Sequence, residues 1–423
     1  MFGGVGKAGW ATLLASGVLL GGGISAQAAD LGGDCCADLE ERVAELEATT
    51  ARKGNRKVSL EVYGWVNEAV MWWDDGTEQN VYVGTNTLEQ TRFGFKGKAK
   101  INADWSAGYK IEIGLDDGGI SGWNQDGLNH PSNSFKLRKS YWFIKSNKLG
   151  EVAVGQNGTS TYHTVDDADF LNTRNVSDFE AAAVYLGSFK SQNGAGPTWK
   201  SLLPGWNGST PGQSSRKNIV QYNSPTFAGF SVSASWGEDD LWDVLGEYKG
   251  KVGAFKVKAR VGYGESTDPS ATKCGGPAAD FKCDWFGAGA TIQHEPTGLY
   301  VFGGYGWQQI DTPTFAVDDT SEAWLIQAGI EKKWNPLGTT TIFGEYRRDD
   351  AGGVSADGTV ANATSLGANI DFWAAGIVQN IEPAAMDLYL MYRHAEGDFV
   401  NKASVSEDLG DFDAVIGGSR IQF

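Results

Sequence analysis

From Val58 onward the chain alternates apolar and polar residues with a period of two. The alternation is cleanest in two segments. In the first, Phe93, Phe95, Ala99 and Ile101 share one side, and Arg92, Lys96, Lys98 and Lys100 the other. In the second, Trp105, Ala107, Tyr109, Ile111, Ile113 and Leu115 oppose Ser106, Lys110, Glu112 and Asp116. Successive side chains of a strand point to opposite faces, so each segment reads as a strand with one apolar and one charged face. A soluble sandwich shows the same alternation, so the pattern alone does not separate it from a barrel in a bilayer.

The connections discriminate better. Short ones fall at Asn102-Ala103-Asp104, Asn147 to Gly150, Ser224-Pro225-Thr226, Gly250-Lys251, Glu295 to Gly298, Asn335 to Gly338 and Glu382-Pro383-Ala384. Between them lie long connections at Asp117 to Ser134, Asn157 to Lys217, Glu265 to Asp284, Gln309 to Glu322, Asp349 to Gly367 and Glu396 to Asp411, and a modest loop that begins at Glu238-Asp239-Asp240. Short turns at one end and long loops at the other, in strict alternation, are the mark of outer-membrane barrels. Counting apolar segments between these connections predicts about sixteen antiparallel strands. Ala182–Lys190 and Thr198–Leu203 would raise the count to eighteen; we place them inside the long loop.

A barrel spans a bilayer with only alternate residues facing lipid, so it needs no run of 18 apolar residues, and none occurs beyond the chain's start. The formal net charge of −17 argues against a nucleic-acid surface. Residues 1–29 read as a secretory signal, with Lys7, an apolar stretch from Ala11 to Ile24 and the A-x-A site Ala26-Gln27-Ala28. The terminal Phe423, with Ile421 and Val415 on the same face, reads as a barrel-closing strand. Aromatics near strand ends (Trp72-Trp73, Trp105, Tyr141-Trp142, Trp285, Tyr305, Trp307, Trp334) are expected to form an interfacial girdle.

Residues 30–57 form a separate segment. Leu39, Val43 and Leu46 follow the spacing of a coiled-coil seam of about two heptads. So short a helix is marginal alone and is expected to associate in the periplasm, with a lone helix packed on the domain as the alternative. Cys274 and Cys283 lie in one Gly/Pro-rich loop, where an exported chain is expected to form a local disulfide.

The long stretch 157–217 is predicted to fold into the barrel of residues 58–423 and narrow its channel. It carries Asp166, Asp167, Asp169, Asp178 and Glu180. Against these we expect a basic ladder on neighbouring strands, from Arg92, Lys96, Lys98, Lys110, Lys136 and Arg138. A cation facing lipid at the midplane costs about 2–4 kcal/mol, so the ladder belongs inside. Opposed charge rows across a narrow aqueous gap set up a transverse field that orders water and dipolar solutes. Some of these residues are equally readable as salt bridges holding the loop to the wall. Lys256, Lys258 and Arg260 form a second basic row, and Arg347 and Arg393 are further lumen candidates.

Three long runs carry a resemblance. They are DLEERVAELEATTARKGNRKVSLEVYGWVNEAVMWWDDG, TRFGFKGKAKINADWSAGYKIEIG and KSYWFIKSNKLGEVAVGQ. With Phe423 they are similar to the porins of Rhizobiales and related alphaproteobacteria, from Leu39 to the C-terminus. The resemblance implies a 16-stranded, homotrimeric outer-membrane porin passing small hydrophilic solutes. It also implies that the loop after the fifth strand is the constriction loop. Lys190 to Ser215 departs from that pattern. Lipid and lipopolysaccharide would be its surroundings, and the N-terminal helix could touch the cell wall.

No catalytic centre, cofactor or metal is expected. The four histidines, His130, His163, His294 and His394, stand in no Ser/His/acid context. The competing readings are a substrate-specific channel and a structural envelope protein.

Overall fold

The computed structural model describes residues 57–116, 119–128, 134–179, 185–186, 188–203, 216–237, 240–267, 282–311, 319–355 and 363–423. The expected signal peptide, the seam residues Leu39, Val43 and Leu46, and Glu180 and Cys274 lie outside them.

Sixteen strands build the wall. The first eight are β1 (Glu61–Asp74), β2 (Arg92–Lys100), β3 (Trp105–Asp116), β4 (Ser134–Ser146), β5 (Gly150–Gly158), β6 (Arg216–Asn223), β7 (Phe230–Gly237) and β8 (Leu241–Val252). The second eight are β9 (Phe255–Ser266), β10 (Lys282–His294), β11 (Leu299–Asp311), β12 (Thr320–Asn335), β13 (Gly338–Ala351), β14 (Gly367–Ile381), β15 (Met386–Val400) and β16 (Phe412–Gln422). Each pairs antiparallel with the next, and β16 returns to β1 from Trp65↔Gln422 to Asp74↔Asp413. Phe423 and Gly64 exchange two backbone hydrogen bonds of 3.0 Å beside this seam. A closed sheet leaves no edge, so every ladder group in the bilayer finds a partner.

The expected asymmetry of connections holds except around β7, where residues 238–240 join β7 to β8 and the longer 224–229 joins β6 to β7. One turn is also displaced. Gly250 and Lys251 are not a turn; they pair with Val257 and Lys256 inside the β8–β9 ladder, and Gly253-Ala254 makes the reversal. Gly253 there has φ +60, which glycine adopts without strain. The strand count is also resolved. Lys190 and Thr198 form only an isolated bridge, and Trp199–Leu202 is a helical turn. Between β1 and β2 the chain adds a hairpin arm, Gln79–Thr85, that pairs with the upper half of β1. Residues 86–91 then bulge away before β2 takes up the lower half.

The alternation decides which face is which. Val62, Val66, Val70, Ile144, Val232, Val244, Ile292, Ile326, Ile342, Ile377 and Leu390 are exposed on the outer face. Near the long-loop end, four outward tyrosines donate to carboxylates on the next strand. These are Tyr263 to Asp284, Tyr305 to Glu322, Tyr346 to Asp371 and Tyr392 to Asp413, at 2.5 to 2.8 Å. Such rings sit where hydrocarbon gives way to polar surroundings. Trp73 and Trp285, expected in the girdle, are instead buried on the inner face, and Tyr141 likewise turns inward.

Part of the interior is dry. Trp73 of β1, Tyr82 of the arm, Phe412 of β16 and Phe189 of the long connection pack with ring centroids 4.8 to 6.5 Å apart. Trp123, Tyr185, Trp199 and Leu202 complete this apolar cluster.

Candidate functional site

The connection after β5 runs along inner-face side chains. Its first turn is held by Asp243 of β8, whose carboxylate accepts from Ser160 N at 3.1 Å, Thr161 N at 2.8 Å and Thr161 Oγ1 at 2.6 Å. Ser235 Oγ donates to the same carboxylate. A short 3-10 turn, Asp166–Ala168, follows. It lies on a trough of glycines. A Cβ at Gly289 would stand 2.9 Å from Ala168 Cβ, and one at Gly304 2.4 Å from Val165 Cγ1. Thr291 Oγ1 donates to Ala168 O at 2.9 Å. Only strands lacking side chains at these positions let the backbone come so close.

Farther along, Asn172 N donates to Glu331 at 3.1 Å, and Asn172 Nδ2 to Asp387 at 3.0 Å. Ser177 donates to Glu345, and Arg347 to Phe179 O. Arg347 is itself clamped by Asp349 at 2.6 and 2.8 Å, and Arg393 by Glu345 at 2.8 Å. These two arginines, read from sequence as lumen residues, therefore lie beneath the loop as buried anchors.

The loop acids do not form a bare acidic row. Arg174 lies 2.9 Å from Asp178, 3.0 Å from Asp167, 3.5 Å from Glu89 and 3.8 Å from Asp166. Arg260 of β9 reaches Asp167 at 2.9 Å and donates to His163 O at 2.7 Å. The expected partners, the cations of β2 to β4, are thus replaced by an arginine of the loop and one of β9. Burial alone would raise Asp167, but Arg174 and Arg260 outweigh it and hold its carboxyl below the usual range. Asp169 accepts from Thr173 Oγ1 at 2.6 Å and Leu171 N at 2.9 Å. Enclosure nevertheless pushes it up to about 6. His163 contacts Asp166 at 3.1 Å, yet burial and then Arg174, Arg216, Lys139 and Arg138 hold it well below an ordinary histidine.

The wall on β2 to β4 divides. Arg92, Lys110 and Arg138 converge on a single carboxylate, Glu112, at 3.7, 3.6 and 3.0 Å. Lys96 pairs instead with Glu61 at 2.8 Å, and Lys98 is exposed one register step nearer the short turns. Lys136 is exposed and sits opposite Gly114, toward the long loops. A register shift at Glu112/Ile113 inserts one extra residue in β4. A bulge of this kind turns two consecutive side chains to one face. Arg138 and Lys139 both enter the lumen: Arg138 reaches Glu112, and Lys139 lies 5.6 Å over the ring of Tyr162. Strict alternation placed Lys139 outside, so sequence reasoning missed it. Arg216 was missed too; it donates to Tyr162 Oη at 2.9 and 3.1 Å. Glu89, in the bulge before β2, bridges the two sides, 3.6 Å from Arg92 and 3.5 Å from Arg174.

His163, Asp166 and Asp178 bring donor atoms within 4.8 Å, a spacing that suits a metal ion. The guanidinium of Arg174 already supplies positive charge to both acids. Cys283 is disulfide-bonded, and its partner lies outside the described residues.

Comparison with known proteins places this geometry. Residues 15–411 match the family model described as Gram-negative porin. No curated protein sequence matches the chain. Among solved structures, the anion-selective porin from Comamonas acidovorans is similar at 14% identity and TM-score 0.59, covering 86% of this chain and 100% of that one. OmpF of Salmonella typhi, in complex with daunomycin, is similar at 14% identity and TM-score 0.54, covering 88% and 99%. The trimer form of OmpT of Vibrio cholerae is similar at 13% identity and TM-score 0.51, covering 86% and 99%. At such identities these structures speak for the fold alone.

Proposed function

This chain belongs to the Gram-negative porin family, and on that premise we propose that the connection 159–215 is the constriction of its channel. The protein is an outer-membrane porin, a passive channel for small hydrophilic solutes and ions. What we add is where the passage lies and what it prefers. The loop is fastened to β6 through β13 and β15, which leaves the inner faces of β2 to β4 as the free side of the gap. The observation that carries this reading is the gathering of Arg92, Lys110 and Arg138 around Glu112, with Glu89 beside Arg92 as the one further carboxylate paired to these three among the described residues. Lys139 and Arg216 add further positive charge beside Tyr162. The loop edge offers Asp167 in return, already shared between Arg174 and Arg260. Fixed charge of one sign in a narrow aqueous passage concentrates the opposite ion, so the channel favours anions.

The remaining parts of this reading have narrower support. Solved relatives that include a trimer form support a homotrimer. The outward Tyr–carboxylate pairs support contact with outer-membrane lipid, lipopolysaccharide included. Residues 1–29 act as the export signal. Residues 30–57 follow as a periplasmic coiled coil that associates between chains or meets the cell wall. The three quoted sequence runs favour an alphaproteobacterial origin.

Planar-bilayer recording of the purified protein tests the main reading. Stable conductance steps with a reversal potential displaced toward the anion are expected under a potassium chloride gradient. Well-folded protein that gives no steps overturns the channel, and a cation-side potential overturns the charge argument.

A further inference from the structure

Beneath the first turn of the loop, the wall from β4 to β9 encloses a recess of about 340 Å³. That is at the lower end of the about 300–1,000 Å³ typical of small-molecule sites. Its lining is almost wholly polar. Tyr162 borders it from the loop, Lys139 and Tyr141 from β4, Asn223 from β6 and Ser231 from β7.

Two features set this recess apart from an ordinary wet wall. The first is Lys139. Among the described residues, its ammonium forms no ion pair or hydrogen bond, while its neighbours Arg138 and Lys110 share Glu112. It lies 5.6 Å over the Tyr162 ring and feels the Glu112 carboxylate, its register partner on β3, without direct contact. The other cation of the recess, Arg260, is already committed to Glu247 at 3.2 Å and Asp167 at 2.9 Å. The recess therefore has, among the described residues, one cation with no direct ion pair or hydrogen bond. The second feature is a set of unused neutral polar groups. Among the described residues, the Tyr141 hydroxyl, the Asn223 amide and the Ser231 hydroxyl form no side-chain hydrogen bond, although Ser233 beside them bonds Ser160 at 2.7 Å. Side chains that hold donors and acceptors open in one concavity suit a ligand carrying several hydroxyls. The carboxylates of Glu151 and Glu247, also in the lining, disfavour a dianion such as a phosphate monoester.

We propose that this recess is a solute subsite for a small hydroxylated monocarboxylate of the sugar-acid type. Its carboxylate meets Lys139, and its hydroxyls meet Tyr141, Asn223 and Ser231. The proposal rests on the channel reading and adds to it a substrate class. A solute that pauses there passes with saturable, not linear, dependence on concentration.

The test uses the purified full-length protein in planar bilayers, with D-gluconate added to one side of a chloride-conducting channel. D-glucose and acetate, each carrying half of the recognised chemistry, serve as comparisons. Gluconate is expected to interrupt the chloride current saturably, with glucose and acetate far weaker. Lys139→Gln should raise the half-blocking concentration at least about tenfold, the scale of one charge-assisted hydrogen bond. Asn223→Ala should raise it less and leave acetate unaffected. Normal steps with a strictly linear gluconate dependence overturn the subsite and leave the channel standing. So does block of Lys139→Gln at the parent concentration, and so does equal block by glucose. Absence of steps in the parent protein overturns both readings.

Discussion

The carboxylate of Asp243 holds Thr161 twice, accepting from its backbone N–H at 2.8 Å and from its hydroxyl at 2.6 Å. With Ser160 N at 3.1 Å, this one side chain fixes the point where the chain leaves β5 and turns inward. Asp243→Ala strands the buried Thr161 N–H, at about 1–3 kcal/mol when left unpaired, while Ser160 N keeps its 2.9 Å bond to Ser235 Oγ. The barrel should still fold, because β8 keeps its ladders. Single-channel steps should become larger and noisier as the first turn lifts. Steps of parent size and parent noise would show that Asp243 does not hold the loop.

The glycine trough gives a second handle on the same loop from the opposite side. Gly304→Val puts carbon where Val165 Cγ1 already stands, 2.4 Å from the new Cβ. Overpacking of this kind costs about 1–3 kcal/mol, and the loop is the softer partner. The variant should show faster proteolysis between residues 159 and 203. Gly303→Ala is the control, since the nearest atom to its Cβ is Leu325 O at 3.9 Å. Equal cleavage of both variants would rule out seating of the loop on Gly304.

Selectivity should respond to the loop acids unequally. The Asp167 side chain is 45% exposed, against 1% for Asp166 and 2% for Asp178. Asp167→Asn should therefore move the reversal potential further toward anions with little change in conductance. Asp166→Asn and Asp169→Asn should instead change conductance, because their carboxylates organise the loop backbone. A triple Asn variant whose selectivity and conductance both match the parent would remove these residues from the constriction.

Acid should act on the loop through two opposed groups. Asp169 is pushed up to about 6, so the docked loop binds a proton there that a released, solvated loop does not take up until about pH 4. Docking gains as pH falls from about 6 toward 4. His163 is held well below its ordinary value, so the released loop is the one that gains a proton as pH falls through about 6.5, and docking weakens. His163→Gln leaves the Asp169 effect alone, and its channel should narrow between pH 6 and 4. Asp169→Asn leaves the His163 effect, and its channel should widen below about pH 6.5. Conductance measured across pH 4 to 7 checks both signs; identical profiles for the two variants would refute the assignment.

The wall was legible because a strand's period is rigid. Once Phe93 and Ile113 face outward, Arg92, Glu112 and Lys110 must face inward. The same rigidity explains the errors. A single extra residue at Arg138 breaks the period, and no local signal separates Lys139 from the outward residues around it. The reversal at Gly253 was missed because Gly250 is an equally plausible turn residue in sequence. The loop was legible as long and acidic, but not as self-neutralised. Arg174 lies within eight residues of Asp166, Asp167 and Asp178, and only the fold of the intervening turns brings them to one guanidinium. Asp243 gave no signal at all, since an acid beside Asp239 and Asp240 reads as solvated surface.

The dry cluster around Trp73 has a consequence for the order of folding events. Trp73 and Phe412 stand at opposite ends of the wall, in the first strand and the last, yet their rings stack 6.4 Å apart at 3°. Neither has an apolar partner across the seam until the sheet closes. Phe189 then packs on both, at 4.8 and 4.9 Å. The full seat of Phe189, between the first strand and the last, thus exists only once the ring is closed.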